Sequence, residues 1–143
     1  MNLNYYLQTL ASGFPTLLLH LGVLTLIYIV GVVIYVKLTP HKELELVQNG
    51  NYAAAISFSA LIIGLVLPLA AVIYRNDGIP DIVIWGTISL FLQLFLFRVT
   101  DFIFRGMPER IENDEVAPAI VLAAFKISGS IALASALIAQ APY

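Results

Sequence analysis

The side chains able to do chemistry are few along this 143-residue chain: seven Lys and Arg, nine Asp and Glu, two His and no Cys. Nearly all lie in short clusters between long apolar runs. Lys126 alone interrupts such a run, about ten positions inside it and therefore roughly 15 Å down a helix. An ammonium near mid-bilayer costs about 2.5–3.5 kcal/mol on insertion scales, so its presence needs a reason. Two readings stand. Lys126 faces an internal cavity with Ser130 and serves anion attraction, proton transfer or gating; or it reaches Asp101 as a structural ion pair, or snorkels toward the headgroups. Ser89, Gln93 and Thr100 follow helical spacing, which puts Gln93 at the depth of Lys126. A hydrogen bond between the two would be either a polar lining or interhelical glue worth about 0.6 kcal/mol.

The remaining candidates have weaker patterns. Arg98, Asp101 and Arg105 stack at spacings of three and four, as in a salt-bridge ladder at an interface or a phosphate or headgroup site. His20, one turn after Thr16, fits a hydrogen-bonded structural histidine or a proton relay. His41, Glu43 and Glu45 alternate, so on a helix they point different ways and make a poor metal site. Glu109, Glu112, Asp114 and Glu115 read as a solvated acidic loop, with cation attraction as the sharper alternative. There is no Ser-His-Asp set, phosphate loop or HExxH motif. The expectation is no catalytic, cofactor or metal site, and a protein that is not an enzyme.

The elements that must position these residues follow from composition. The chain is 60% apolar and 11% charged, with a mean hydropathy of +0.92, against roughly 45–50% and 25% in soluble domains. Lipid is the solvent this implies. A net charge of -2 without a basic patch argues against nucleic acid as a partner. Charge-free runs at 16–36, 52–74, 82–97 and 116–143, the last broken only by Lys126, predict four transmembrane helices, since roughly 20 helical residues cross about 30 Å of hydrocarbon. The third run is short, so its helix should continue through Arg98 toward Phe104. Continuous rather than alternating apolarity argues against barrel strands. Residues 1–15 lack the basic start and small-residue cleavage site of a signal peptide. With Tyr5, Tyr6 and Phe14 they suit an interfacial segment retained ahead of the first span. The fold class is an all-α membrane protein, one integral domain over 1–143.

Basic residues orient it. Lys37, Lys42, Arg98, Arg105 and Arg110 fall in the first and third links and Arg75 in the second, so the positive-inside rule predicts cytoplasmic first and third links and periplasmic termini.

An internal repeat is visible at an offset of 64 residues, pairing Glu45 with Glu109, Asn49 with Asn113, Ala53 with Ala117, Ile56 with Ile120, Ala60 with Ala124 and Gly22 with Gly86. This predicts tandem duplication of a helical hairpin, one copy at about 16–74 and the second at about 80–138, related by an axis along the membrane normal. Small residues form stripes on two helices: Ala53, Ser57, Ala60, Gly64, Pro68 and Ala71 on the second, and Ala117, Ala124, Ser128, Ala132 and Ser135 on the fourth. Such stripes let backbones approach where no hydrophobic effect drives association. The two helices should pack on each other or on neighbouring subunits, leaving the bulky side of the third to lipid. In the first link, Thr39 as N-cap and Pro40 at the first helical position predict a short helix that Gly50 ends, with Leu44 and Val47 on the membrane surface. Asn49 or Asn51 should cap the second span, and Asn113, Asp114 and Glu115 the fourth.

The stretch Gln48-Asn49-Gly50-Asn51-Tyr52-Ala53-Ala54-Ala55-Ile56, with Gly64 following in the helix, resembles the YjfL-type inner-membrane proteins, a bacterial domain-of-unknown-function family. The likeness covers most of the chain, including the tandem two-helix layout, although Asp114 and Glu115 replace Gly50 and Asn51 in the second copy. It implies a bacterial inner membrane and no established activity. Two functions follow as expectations. One is a non-enzymatic assembly or accessory module that packs through its small-residue faces into a homo-oligomer or against another membrane complex. The other is a subunit of a small oligomeric ion channel or transporter using Lys126 and Gln93; four packed helices fill their own core, so conduction would need several subunits. No cofactor is expected, and the lipid bilayer is the constant partner.

Overall fold

The computed structural model describes residues 2–39, 42–75 and 78–140. Its elements are α1 (Leu3–Leu38), α2 (Glu43–Gln48), α3 (Tyr52–Arg75), α4 (Ile79–Ile103), α5 (Met107–Glu112) and α6 (Val116–Ala139). The protein is all-α, with no strand among the described residues, and α1, α3, α4 and α6 are each long and apolar enough to cross a membrane. Helices are the form such a chain must take, because hydrocarbon offers no partner to an unpaired peptide group. The third span does run past Arg98, to Ile103.

Residues 3–15 are not a separate segment. They continue the first span as one 36-residue helix with Pro15 inside it, about 54 Å long against a hydrocarbon core of about 30 Å. Thr9, Ser12, Thr16 and His20 return their hydrogen bonds to the helix that carries them. Thr9 Oγ1 donates to the Tyr5 carbonyl, Ser12 Oγ to that of Gln8, and His20 Nδ1 to that of Thr16 at 2.7 Å. In this conformation His20 is hydrogen-bonded within its own helix, which agrees with the structural reading of this residue. Only Gly31 and Tyr35 of α1 are buried.

The centre of the bundle is α3, whose Ala53, Ser57, Ala60, Gly64, Pro68 and Ala71 are all buried. Helices α3 and α6 are the most extensively engaged pair, but α6 does not meet α3 with its small-residue stripe. Ala117, Ala124, Ser128, Ala132 and Ser135 are exposed, and the face turned inward carries Pro118, Ala119, Leu122, Ala123, Lys126, Ser130 and Leu137. The physical reason is that a helix in lipid gains more by hiding an ammonium and a hydroxyl than by hiding alanines, so the polar stripe sets the rotation. Close approach is supplied by α3 instead. A Cβ at Gly64 would stand 2.6 Å from Ser130 Oγ and 2.8 Å from Phe97 Cζ. On α4, Phe91, Phe95 and Phe102 face outward.

Two turns of the same design join the short helices to the long ones. Asn49 and Asn113 cap α2 and α5, and the next residues, Gly50 and Asp114, take positive φ of 86° and 60°. Gly50 N–H donates to Val47 O and Asn51 N–H to Leu46 O, just as Asp114 N–H donates to Ile111 O and Glu115 N–H to Arg110 O. The two turns also cap each other. Asn51 Oδ1 accepts from the Ala54 N–H at 2.6 Å while its Nδ2 donates to the carbonyls of Ile111 and Glu112. Asp114 Oδ1 accepts from the Ala53 N–H at 2.9 Å. Asp114 therefore caps α3 rather than α6, and Glu115, the residue ahead of α6, pairs with Arg110. Beneath this clasp Ala53, Ala54, Ile111, Ala119 and Leu122 form a core that Leu46 and Val47 of α2 cover, so Val47 packs on protein and not on a membrane surface. Asn51→Ala removes one helix cap and two carbonyl partners and should cost about 1–2 kcal/mol, read as a lowered unfolding midpoint in detergent or lipid.

Thr39 is the C-cap of α1, not the N-cap of α2: its N–H and its hydroxyl both donate to the Tyr35 carbonyl at 2.9 Å. Pro40 and His41, invoked for a helix start and against a metal site, lie outside the described residues.

Candidate functional site

Five of the six helices bring a polar side chain to one place, at the end of the bundle where α2 and α5 lie. Lys126 of α6 is 1% exposed. Its Nζ donates to Tyr35 Oη of α1 at 3.0 Å and stands 3.3 Å from Asp101 Oδ1 of α4. The rings of Tyr35 and Phe97 lie 5.3 Å and 5.8 Å from Nζ and meet edge to face, so the charge not met by oxygen is met by aromatic rings. Glu43 of α2 completes the group, its Oε1 accepting from Ser57 Oγ of α3 at 3.2 Å.

The local reasons are plain. Tyr35 lies in the last turn of α1 and Asp101 in the last turn of α4, so both approach from the same end, and Lys126, deeper on α6, extends its stem along the apolar core to reach them. Pairing with Asp101 and extension toward the bundle end are thus one arrangement. Tyr35 and Glu43 are the members that spacing along the chain did not reveal, since they sit 91 and 83 positions from Lys126. The one sequence signal was chemical: an acidic residue at the start of the first link, on the side toward which a snorkelling Lys126 would point.

Gln93 does not bond to Lys126. Its Nε2 donates to Ser130 Oγ at 2.6 Å, and Ser130 Oγ donates on to the Lys126 carbonyl at 2.8 Å. Ser89, also buried, returns its hydroxyl to the Gly86 carbonyl. Gln93 and Ser130 thus join α4 to α6 one turn deeper than the charges, and Gln93 Oε1 is buried without a partner. The ladder expected of Arg98, Asp101 and Arg105 is replaced by separate contacts. Asp101 pairs with Lys126, Arg98 donates to the Leu38 carbonyl at the end of α1, and Arg105 lies 3.8 Å from the Phe102 ring centroid. Arg98 therefore closes a helix end as well as pointing outward.

Against the charged group opens a cleft of about 390 Å³, lined by Glu43, Arg98, Asp101, Arg105 and Glu112 among apolar residues. A second cleft of about 630 Å³ meets Glu43 from the Tyr35 and Lys42 side. Burial pushes the Glu43 carboxyl above its ordinary value of 4.5; the Lys126 ammonium opposes that rise and the Asp101 carboxylate adds to it. Chemically the arrangement can hold an ion pair out of water and can bind or release a proton at its rim. Among the described residues no group of three His, Cys, Asp or Glu side chains is placed to hold a metal ion.

The family model described as Domain of Unknown Function (DUF350) matches residues 9–137 of this chain. Two relatives, each named UPF0719 inner membrane protein YjfL, come from Escherichia coli (strain K12) and Escherichia coli O157:H7. Each is 35% identical over 98 residues, covering 68% of this chain and 74% of the relative. No solved structure matches.

Proposed function

This chain belongs to the DUF350 family, and on that premise we propose that it is a multi-pass inner membrane protein acting without catalysis, as an assembly or accessory module. One observation carries the reading: Lys126, a buried charge within a spanning helix, is enclosed by Tyr35, Asp101 and Phe97 of its own chain. That enclosure supports a place at a helix interface rather than on a route between subunits. The faces left over support the same reading. Ala117, Ala124, Ser128 and Ala132 turn their stripe outward, and Ser128 Oγ is satisfied by the Ala124 carbonyl, so that surface offers close backbone approach without a desolvation cost. The partner is a second copy of this chain or another membrane protein.

Tandem duplication of a helical hairpin belongs to the proposal too, supported by α2 and α5 (43–48 and 107–112) and α3 and α6 (52–75 and 116–139) each starting 64 residues apart with matching turn geometry. So does the orientation, with the α2 and α5 end in the cytoplasm and both termini in the periplasm. Because the chain has no cysteine, single cysteines at Asn2 and Glu109 report it directly: an impermeant thiol reagent added outside should label the first only.

The test of the module is gentle extraction in native lipid followed by mass measurement. The expected result is a discrete assembly heavier than one 15.6 kDa chain, reduced to a folded monomer by Ser128→Leu with Ala132→Leu. A monomer in the unsubstituted protein would refute it.

A further inference from the structure

We infer that Glu43 is the seat of a single exchangeable proton, taken up from the cleft beside it, and that this proton governs how α2 docks on the bundle. The inference does not depend on what the outer faces of the protein bind.

Charge counting comes first. Two carboxylates, Glu43 and Asp101, converge on one ammonium, Lys126, which is in direct contact with Asp101. With both carboxylates ionised the group carries one uncompensated negative charge beside apolar core. The neighbouring cations are committed elsewhere: Arg98 to the Leu38 carbonyl and Arg105 to the Phe102 ring. A buried charge without a partner is expensive, and the usual escape is to bind a proton.

Geometry says which carboxyl takes it. Asp101 has the ammonium. Glu43 accepts from Ser57 Oγ on Oε1 and is favoured as a carboxylate by the neighbouring Tyr35 hydroxyl as well, but its Oε2 is buried and receives no hydrogen bond. An ionised carboxylate wants donors on both oxygens; a neutral acid needs a donor on one and carries a proton on the other. Access is the third requirement, and Glu43 lines both clefts at this end. The groups that face it come from every neighbouring element: Tyr35 and Thr39 at the end of α1, Ser57 on α3, Arg98, Asp101 and Arg105 on and after α4, Glu112 on α5, and Lys126 on α6. On its own helix Glu45 is paired with Lys42 at the surface. The upward push on Glu43 from burial agrees with this placement.

The step is simple and balanced: the ionised carboxylate takes one proton from water and becomes the neutral acid, with no other bond made or broken. In the acid form the group is neutral overall and α2 stays seated against α1 and α3. In the ionised form the extra negative charge favours moving the first turn of α2 outward to water.

Infrared spectroscopy of the full chain in lipid nanodiscs tests this. A protonated carboxyl band should disappear as pH rises, at a midpoint above 4.5. It should be absent from Glu43→Gln, and in Asp101→Asn persist with a lower midpoint, since Asp101 favours the protonated form. Carboxyl isotope labelling of Glu, which needs no substitution, should move the band, and labelling of Asp should not. A midpoint at or below 4.5, a band that survives in Glu43→Gln, or a band moved by Asp labelling would overturn the assignment. Loss of the band on adding sodium or potassium at fixed pH would overturn it in favour of a metal-cation site.

Thermal stability gives an independent reading. Folded Glu43 keeps its proton to higher pH than the unfolded chain, so between 4.5 and the folded midpoint the folded state binds more protons and stability falls as pH rises. Glu43→Gln should therefore melt higher than the unsubstituted protein at neutral pH, with the gap closing as pH falls toward 4.5. An equal or lower melting point at neutral pH would count against the inference.

Discussion

Lys126→Met should destabilise the bundle more than any other single substitution, by about 3–5 kcal/mol, the range for removing one partner of a buried ion pair. The methionine fills the stem's volume but leaves Asp101 without its ammonium and Tyr35 without its donor, in a place water reaches only from the cleft side. Asp101 retains 20% exposure, which moves the expectation to the lower part of that range. The cost should come from the stranded carboxylate and not from lost packing, and that distinction is measurable. Asp101→Asn in the Lys126→Met background should recover more than half of the loss, and Glu43→Gln a smaller part. Unfolding by graded addition of denaturing detergent to the protein in mixed micelles gives these values, with Asp101→Asn alone measured beside them to close the cycle. Additive losses in the double variant would mean that the two side chains do not interact.

Gly64→Leu is the second large effect, through space rather than charge. At this position α3, α4 and α6 meet so closely that even a Cβ would lie within 3 Å of Ser130 Oγ and of the Phe97 ring. Neither can retreat. Ser130 is held between Gln93 and the Lys126 carbonyl, and Phe97, 1% exposed, is packed against Tyr35. Overpacking usually costs about 1–3 kcal/mol, and here the displaced atoms belong to the polar network, so the upper part of that range is expected. Gly31→Ala set against Gly64→Ala is the matched comparison. A Cβ at Gly31 would press mainly on Leu90 Cδ1, the free end of a flexible side chain, so Gly31→Ala should cost much less. Similar losses at the two glycines in the same detergent titration would show that the polar network adds nothing to the tightness at Gly64.

The spans, their order and the short helix of the first link were legible, the spans because lipid imposes a rule that reads directly from charge: a residue that cannot be solvated marks a helix end; the short helix α5 of the third link was not read from the sequence. The same rule singled out Lys126 and allowed Asp101 as its partner. It failed where the question was three-dimensional. Tyr35 reads as one more aromatic in an apolar run, and Glu43 as one more acid in a link, until four other helices fold around them. The stripe of Ala117, Ala124, Ser128 and Ala132 is real in the sequence, yet spacing names a face without saying what it faces. The polar stripe through Lys126 and Ser130 claimed the interior instead. By position Asp114 reads as a cap for the helix it precedes, whereas it serves Ala53 in the other hairpin, a contact between residues 61 positions apart that no local pattern encodes.

The enclosure of Lys126 is the claim on which the functional reading turns, and the chain's three lysines allow it to be measured without any substitution. Lys37 and Lys42 lie at the surface, and Lys126 is buried. Folded protein in native lipid, exposed to a water-soluble amine reagent and analysed by peptide mass, should be modified at Lys37 and Lys42 and protected at Lys126, with Lys126 reacting only after denaturation. Modification of Lys126 in the folded protein at a rate comparable to Lys42 would contradict the account, placing the ammonium on a water-filled route and favouring the channel.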